Sequence, residues 1–123
     1  MSALWTATDH PATGTVASAT KAANSSNGPE TLRCRNISVS LSADDGETGI
    51  VQVSLKDGAT VIWEATIHAQ ADSSKTIDLT NLDLRAVIGN DLTLEFDDAP
   101  DAGCQAAVSM SGDLVRSGAN YGV

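Results

Sequence analysis

Beyond residue 30, apolar and polar residues repeatedly alternate with a period of two, and this alternation constrains the fold more than any other feature. It appears in six short runs separated by turns rich in Gly and Asp, at residues 37–41, 51–55, 61–67, 76–79, 92–96 and 105–110. Such alternation is typical of strands with one buried face. The pattern therefore predicts an all-β chain, folded as a small antiparallel β-sandwich or jelly-roll-like barrel.

The second and third runs predict a hairpin. Both place odd-numbered residues on the core face, so the numbers of opposed residues must have an even sum. A three-residue loop over residues 56–58 satisfies this condition, because it pairs Leu55 with Ala59 and Val53 with Val61. Gly58 then takes the left-handed position of a bulged turn. The later stretch 79–90 fits either a bent strand or a single helical turn that ends at Gly89.

The first thirty residues differ from the rest in composition and in periodicity. They are rich in Ala, Thr, Ser and Asn and show no clear periodicity. We expect residues 1–30 to form an extended N-terminal arm, residues 31–115 the β-sandwich domain and residues 116–123 a C-terminal tail. Leu4 and Trp5 in the arm and Tyr121 in the tail are the candidate partner-binding residues, since buried aromatic side chains often dominate a contact. The arm would add a strand to an exposed sheet edge of a neighbour.

The two cysteines, Cys34 and Cys104, carry no secretory context. Cys104 is in phase with the core positions of its strand. Cys34 is out of phase with Ile37 and points away from the core unless a β-bulge intervenes. Either a disulfide or two separate buried thiols fits this pattern.

Charge and composition exclude several classes of function. The chain has 16 acidic and 7 basic residues and a formal net charge of -9, which repels nucleic-acid phosphates and anionic lipid. There is no apolar stretch long enough to span a membrane and no signal peptide, so we expect synthesis in the cytoplasm. With only four aromatic residues, the chain has no stacking platform for sugars or bases.

No set of residues predicts catalysis or a cofactor. The two imidazoles are His10, in the arm, and His68, whose best orienting partner is Asp72, and no distinctive nucleophile accompanies them. Acidic residues crowd the loops 44–47 and 97–101, which leaves calcium binding open, although neither loop has a defined ligand spacing. The cysteines and histidines are too scattered for a zinc site.

The chain resembles the small structural proteins of tailed-bacteriophage virions, in particular capsid decoration or cement proteins. The likeness lies in the small-residue opening at 11–24, in the run 37–43 leading to 49–53, and in residues 92–96. The resemblance implies a non-enzymatic virion protein that binds the major capsid protein or other virion subunits on the outer shell, often as a trimer. The alternative is a tail-associated host-recognition or tail-fibre module.

Overall fold

The computed structural model describes residues 4–23, 30–44 and 49–116. Within these ranges the chain forms strands and no helix. The nine strands are β1 (Leu4–Asp9), β2 (Ser18–Lys21), β3 (Glu30–Ala43), β4 (Gly49–Asp57), β5 (Thr60–Ala69), β6 (Ser74–Leu79), β7 (Leu84–Arg85), β8 (Leu92–Phe96) and β9 (Cys104–Arg116). The predicted all-β class is confirmed.

The strands form two antiparallel sheets that pack face to face. The first has the order β1-β9-β3-β6, with the short β7 also pairing with β3, and the second has the order β2-β8-β4-β5. Strand pairs are nested: β1 pairs with β9, β2 with β8, β3 with β6 and β4 with β5. An eight-stranded antiparallel ribbon folded over in this way is a jelly roll. The sandwich is therefore of the jelly-roll type, with β7 as a small addition.

The core lies between the two sheets and is built mainly by the predicted alternation. In β3 the buried residues Ile37, Val39 and Leu41 alternate with serines, and in β8 Leu92, Leu94 and Phe96 alternate with Thr and Glu. Full burial of a side chain of this size stabilises the fold by about 1.5–3 kcal/mol. Repeated over both sheets, these residues account for the stability of the sandwich.

The prediction of an arm outside the fold is wrong for the described part of residues 1–30. β1 pairs with β9 over its whole length, and β2 pairs with β8, so this segment supplies one edge strand to each sheet. Trp5, Ala17 and Ala19 are buried. Alanine side chains are small enough to face the core where two sheets approach closely. Because these core positions hold alanine and not a larger apolar residue, the sequence of this segment shows no clear apolar pattern.

The hairpin between β4 and β5 keeps the predicted parity but has a different turn. Asp57 pairs with Thr60 across a two-residue loop, and a register shift follows, so that Leu55 lies opposite Trp63. The predicted pairing of Leu55 with Ala59 is therefore wrong. The two-residue loop gives opposed residues an odd sum, as in Asp57 and Thr60. Ile62 is the extra residue of a β-bulge, and beyond it opposed residues such as Leu55 and Trp63 have an even sum.

Residues 79–90 form neither a continuous bent strand nor a helical turn, the two alternatives that the sequence left open. β7 is a two-residue strand, and a turn follows it in which the Asn90 amide donates to the Val87 carbonyl at 2.9 Å. Gly89 has φ +85°, as the third residue of a type II turn requires. At the C-terminal side, β9 continues to Arg116, so residues 112–115 belong to a regular strand.

A β-bulge in β3 explains the phase of Cys34. Cys34 lies opposite Gly112 and Asn36 lies opposite Ser111, so Arg35 is the inserted residue. The insertion turns Cys34 inward, and both Cys34 and Cys104 are buried free thiols. The structure thus selects two separate thiols over a disulfide.

The two thiols are expected to resist alkylation in the folded protein. Burial raises the pKa of the Cys34 thiol to about 11, so the reactive thiolate is scarce at neutral pH. Iodoacetamide at pH 8 should leave both residues unlabelled, whereas the same treatment in denaturant should label both, as mass spectrometry can measure. Because the folded pKa lies above the ordinary value of 9.0, stability should fall as pH rises from 9.0 towards 11.

Candidate interaction surface

Trp5 anchors the first strand at one end of the sandwich. Its indole Nε1 donates a hydrogen bond of 3.0 Å to the Asp113 carbonyl on β9. The ring lies over Gly112, which faces Trp5 in the β1–β9 register. A side chain at position 112 would collide with this ring and with the Arg33 carbonyl on the opposite side. Gly112 therefore permits the close approach of three strands at this point.

An open groove of about 630 Å³ lies beside this packing. Backbone and side chains from three strands of the first sheet line it, including those of Leu4, Trp5, Arg33, Arg35, Asn36 and Asp113. Leu4 is 86% exposed at its rim, whereas Trp5 is only 8% exposed. The groove thus combines an apolar edge with guanidinium and amide groups, and both kinds of group suit recognition of another molecule.

An ion-pair network starts at the groove, where Arg33 and Asp113 line it, and extends to Asp83 and Arg85 outside the groove. Arg33 holds Asp113 with two parallel hydrogen bonds, from Nε to Oδ1 at 2.7 Å and from Nη2 to Oδ2 at 2.6 Å. Arg85 binds Asp83 in a similar way, with Nε 2.8 Å from Oδ1. These bonds lower the pKa of both carboxyl groups, chiefly through Arg33 for Asp113 and through Arg85 for Asp83. The network fixes two arginines rigidly on the surface.

Arg35 differs from its neighbours because it is the inserted residue of the β3 bulge. Its carbonyl accepts a hydrogen bond of 2.9 Å from the Leu82 amide, which ties the bulge to the segment before β7. Its guanidinium forms no ion pair within 4.0 Å of any residue in the described ranges. Bulges often redirect a side chain in this way. Among the described groove residues, Arg35 is therefore the cation outside a close ion pair, and its positive charge also helps to lower the pKa of Asp83 and Asp113.

The Arg33–Asp113 pair predicts a specific acid sensitivity. The lowered pKa of Asp113 contributes stability above its ordinary value of 3.8, and this contribution is lost as pH falls through the folded pKa. Asp113→Asn should cost about 2 kcal/mol at neutral pH, and this cost should shrink as pH falls below 3.8 and through the lowered pKa of Asp113. Urea unfolding over this pH range measures the difference. Arg33→Met should remove the same pH dependence, and a wild-type slope in both variants would contradict the role of the pair.

Two of the three predicted partner-binding residues, Leu4 and Trp5, lie within the described part of the chain. Leu4 is exposed at the groove, and its role stays a prediction. Trp5, expected to bury itself in a neighbouring subunit, is buried in its own chain instead. Tyr121 lies outside the described residues. Sequence reasoning missed the arginines of the groove, although the phase break at Cys34 was a usable signal for the bulge that presents Arg35.

The residues considered for catalysis and metal binding are not brought together. His68 is exposed on β5 opposite Ile50, and no hydrogen bond connects it with Asp72. Among the described residues no three His, Cys, Asp or Glu side chains converge on a point where a metal ion could be held. Residues 45–48 of the first acidic loop lie outside the described residues. In the second loop, Asp97 accepts a hydrogen bond from the Ser54 hydroxyl at 2.9 Å.

A search of the described residues for a helix able to cross a membrane finds none. Comparison of the sequence with protein-family models and with curated proteins finds no match.

Proposed function

We propose that this chain is a structural subunit that decorates and stabilises the capsid of a tailed bacteriophage, without catalytic activity. The observation that carries the proposal is the nested strand order, because jelly rolls are a recurrent architecture of viral capsid domains. A fold alone does not define a function, so the sequence resemblance and the surface described above are needed as additional support. The expected partner is the major capsid protein or another virion subunit.

A clamping N-terminal arm is not part of the proposed contact with the shell. Because β1 and β2 are paired within the sheets, we expect the preformed surface and the loops to contact the shell. A preformed surface loses less conformational entropy on binding than an arm that must become ordered. Many copies on one particle, with a trimer as the expected oligomer, would add their weak contacts together.

Particle composition tests the proposal. In cells that carry the gene, phage particles would be induced, purified on a density gradient and analysed by mass spectrometry. We expect the chain to band with the major capsid protein at a fixed stoichiometry, and particles from a deletion strain to lose their genomes at lower temperature. A chain that stays at the top of the gradient, with particles of unchanged stability, would refute the proposal.

The groove favours a second candidate, a host-recognition module of the phage tail. A cavity of about 630 Å³ that contains a free guanidinium could bind an anionic sugar of the cell surface. The gradient experiment separates the two candidates, because a tail module is present at a few copies per particle. Binding of the purified chain to host lipopolysaccharide or teichoic acid, measured by calorimetry, would favour the tail module.

A further inference from the structure

We propose that the chain docks on the shell through one end of the sandwich, with the opposite end directed to solvent. This inference rests on the proposed function and specifies the surface that performs it. The docking end, here the arginine end, comprises residues 4–5, 32–36, 57–61, 82–92 and 111–113. The opposite end, here the aspartate end, comprises residues 9–16, 43–44, 49–50, 68–73 and 97–105.

The first supporting observation is an apolar turn at the arginine end. Val87 and Ile88 occupy the first two positions of the turn before β8 and are 62% and 45% exposed. Exposed corners of turns are ordinarily polar. Leu4 and Val61, which are 86% and 44% exposed, belong to the same end. Of the six large apolar residues that are exposed in the described ranges, four thus lie there, as expected for a surface that is covered in the assembly.

The apolar turn is held in place by a buried carboxylate. Asp57, 8% exposed, accepts hydrogen bonds of 2.9 Å from the Val87 amide and from the Asn90 side-chain amide. The Gly58 amide also donates to the Asp91 carbonyl at 2.9 Å. These bonds fix the turn to the β4–β5 hairpin. A rigid turn presents its apolar side chains with little entropy left to lose on binding.

The second supporting observation is the distribution of charge. The three arginines whose side chains the structure describes, Arg33, Arg35 and Arg85, all lie at the arginine end. Every carboxylate described there accepts a hydrogen bond from within the chain, namely Asp57, Asp83, Asp91 and Asp113. Arginine is enriched in protein interfaces, whereas free carboxylates are depleted. The arginine end has this composition.

The aspartate end has the opposite composition. Its described residues include no Lys or Arg and six aspartates, which are Asp9, Asp44, Asp72, Asp97, Asp98 and Asp101. Asp9 and Asp97 accept hydrogen bonds from the Ser18 amide and the Ser54 hydroxyl, whereas among the described residues no hydrogen bond reaches the side chains of the other four. Hydrated carboxylates such as these four are costly to bury in an interface, and they keep neighbouring copies apart in solution. This end is therefore the one directed away from the shell.

The occupant of the arginine end follows from charge complementarity. Arg35 requires a carboxylate, and Val87 and Ile88 require an apolar recess, so the partner is a protein surface that combines the two. In a second copy of this chain, the described carboxylates that could meet Arg35 lie at the aspartate end and, as Glu64 and Asp78, at exposed strand positions. The apolar side chains at its aspartate end, Val16 and Ile50, are 38% and 63% exposed, so this end presents side chains that themselves need cover and not a recess for Val87 and Ile88. The shell surface is thus favoured over self-association.

Matched variants at the two ends test the inference on purified particles. Val87→Asp is compared with Ile50→Asp, because the two residues are 62% and 63% exposed. Arg35→Glu is compared with Lys75→Glu, which makes the same charge change near the aspartate end. We expect each arginine-end variant to lower the copies bound per particle about tenfold or more, and each control to stay within about twofold of wild type.

The outcomes separate this inference from the proposed function. Absence of the wild-type chain from particles would refute the function itself. If the wild type binds, equal occupancy for all four variants, or loss confined to Ile50→Asp and Lys75→Glu, would overturn the docking end. Circular dichroism melts must first show folded variants. Sedimentation equilibrium of the purified chains measures their oligomeric state. A variant that loses occupancy because its oligomer dissociates would identify a second copy as the occupant and overturn the inference.

Discussion

Gly112→Ala is expected to destabilise the protein by more than about 3 kcal/mol and to lower its melting temperature by about 10 °C or more. An added Cβ at this position would overlap the Arg33 carbonyl and lie 2.8 Å from Trp5 Cζ2. Both obstacles are held in place, the first by the β3 backbone and the second by the hydrogen bond to Asp113. Relief therefore requires the strands themselves to separate.

Thermal and urea unfolding of Gly112→Ala would be compared with those of Ser109→Ala. Ser109 lies on the same strand with its side chain on the outer face, where substitutions usually change stability by less than about 0.5 kcal/mol. Wild-type stability of Gly112→Ala would show that β3 and β9 are further apart than described. A comparable loss in both variants would show that β9 is sensitive throughout, with no special role for the glycine.

Trp5→Ala is expected to cost about 3 kcal/mol or more, because it removes a large buried side chain and its hydrogen bond. The neighbouring variant Leu4→Ala is the control, since Leu4 is 86% exposed and should change stability by less than about 0.5 kcal/mol. Urea unfolding monitored by far-UV circular dichroism measures both. Comparison of these two variants distinguishes an N-terminal segment that belongs to the fold from an arm that lies outside it.

An arm would give the reverse result. If Trp5 served only to contact another subunit, its removal would leave the isolated chain as stable as wild type and would weaken assembly alone. Equal melting curves for Trp5→Ala and wild type would therefore contradict the described position of β1. Trp5→Phe should fall between wild type and Trp5→Ala, because it keeps most of the apolar surface and loses the indole donor.

The sequence predicts most of the strands because burial of one face imposes a period of two. β3, β4, β8 and β9 are visible for this reason. β1 and β2 are not, because alanine occupies core-facing positions in both strands and does not stand out from the polar residues beside it. Trp5 followed by Ala7 is the one alternation in β1, too short to stand out. The segment became part of the fold through pairing with β8 and β9, which no local pattern records.

Register and the interaction surface are harder to predict for a related reason. In the β4–β5 hairpin, the even-sum rule holds beyond the bulge at Ile62, yet the predicted three-residue turn is wrong. A two-residue turn followed by a one-residue bulge gives the same parity as a three-residue turn. The break in phase at Cys34 announces a bulge but not the direction of Arg35. The groove depends on contacts between Arg33 and Asp113, which are 80 residues apart in sequence. Only the strand order of the sandwich brings such pairs together.

Nested pairing also has a consequence for how the chain acquires its structure. Trp5 and Asp113 are separated by 108 residues, so β1 has no partner until β9 has been synthesised. Domains dominated by such distant pairings fold in milliseconds to seconds, slower than helical proteins of similar size. During translation the apolar side of β3 stays uncovered while the ribosome completes its neighbour. Nascent chains of this protein should therefore depend on holding chaperones until the last strand emerges.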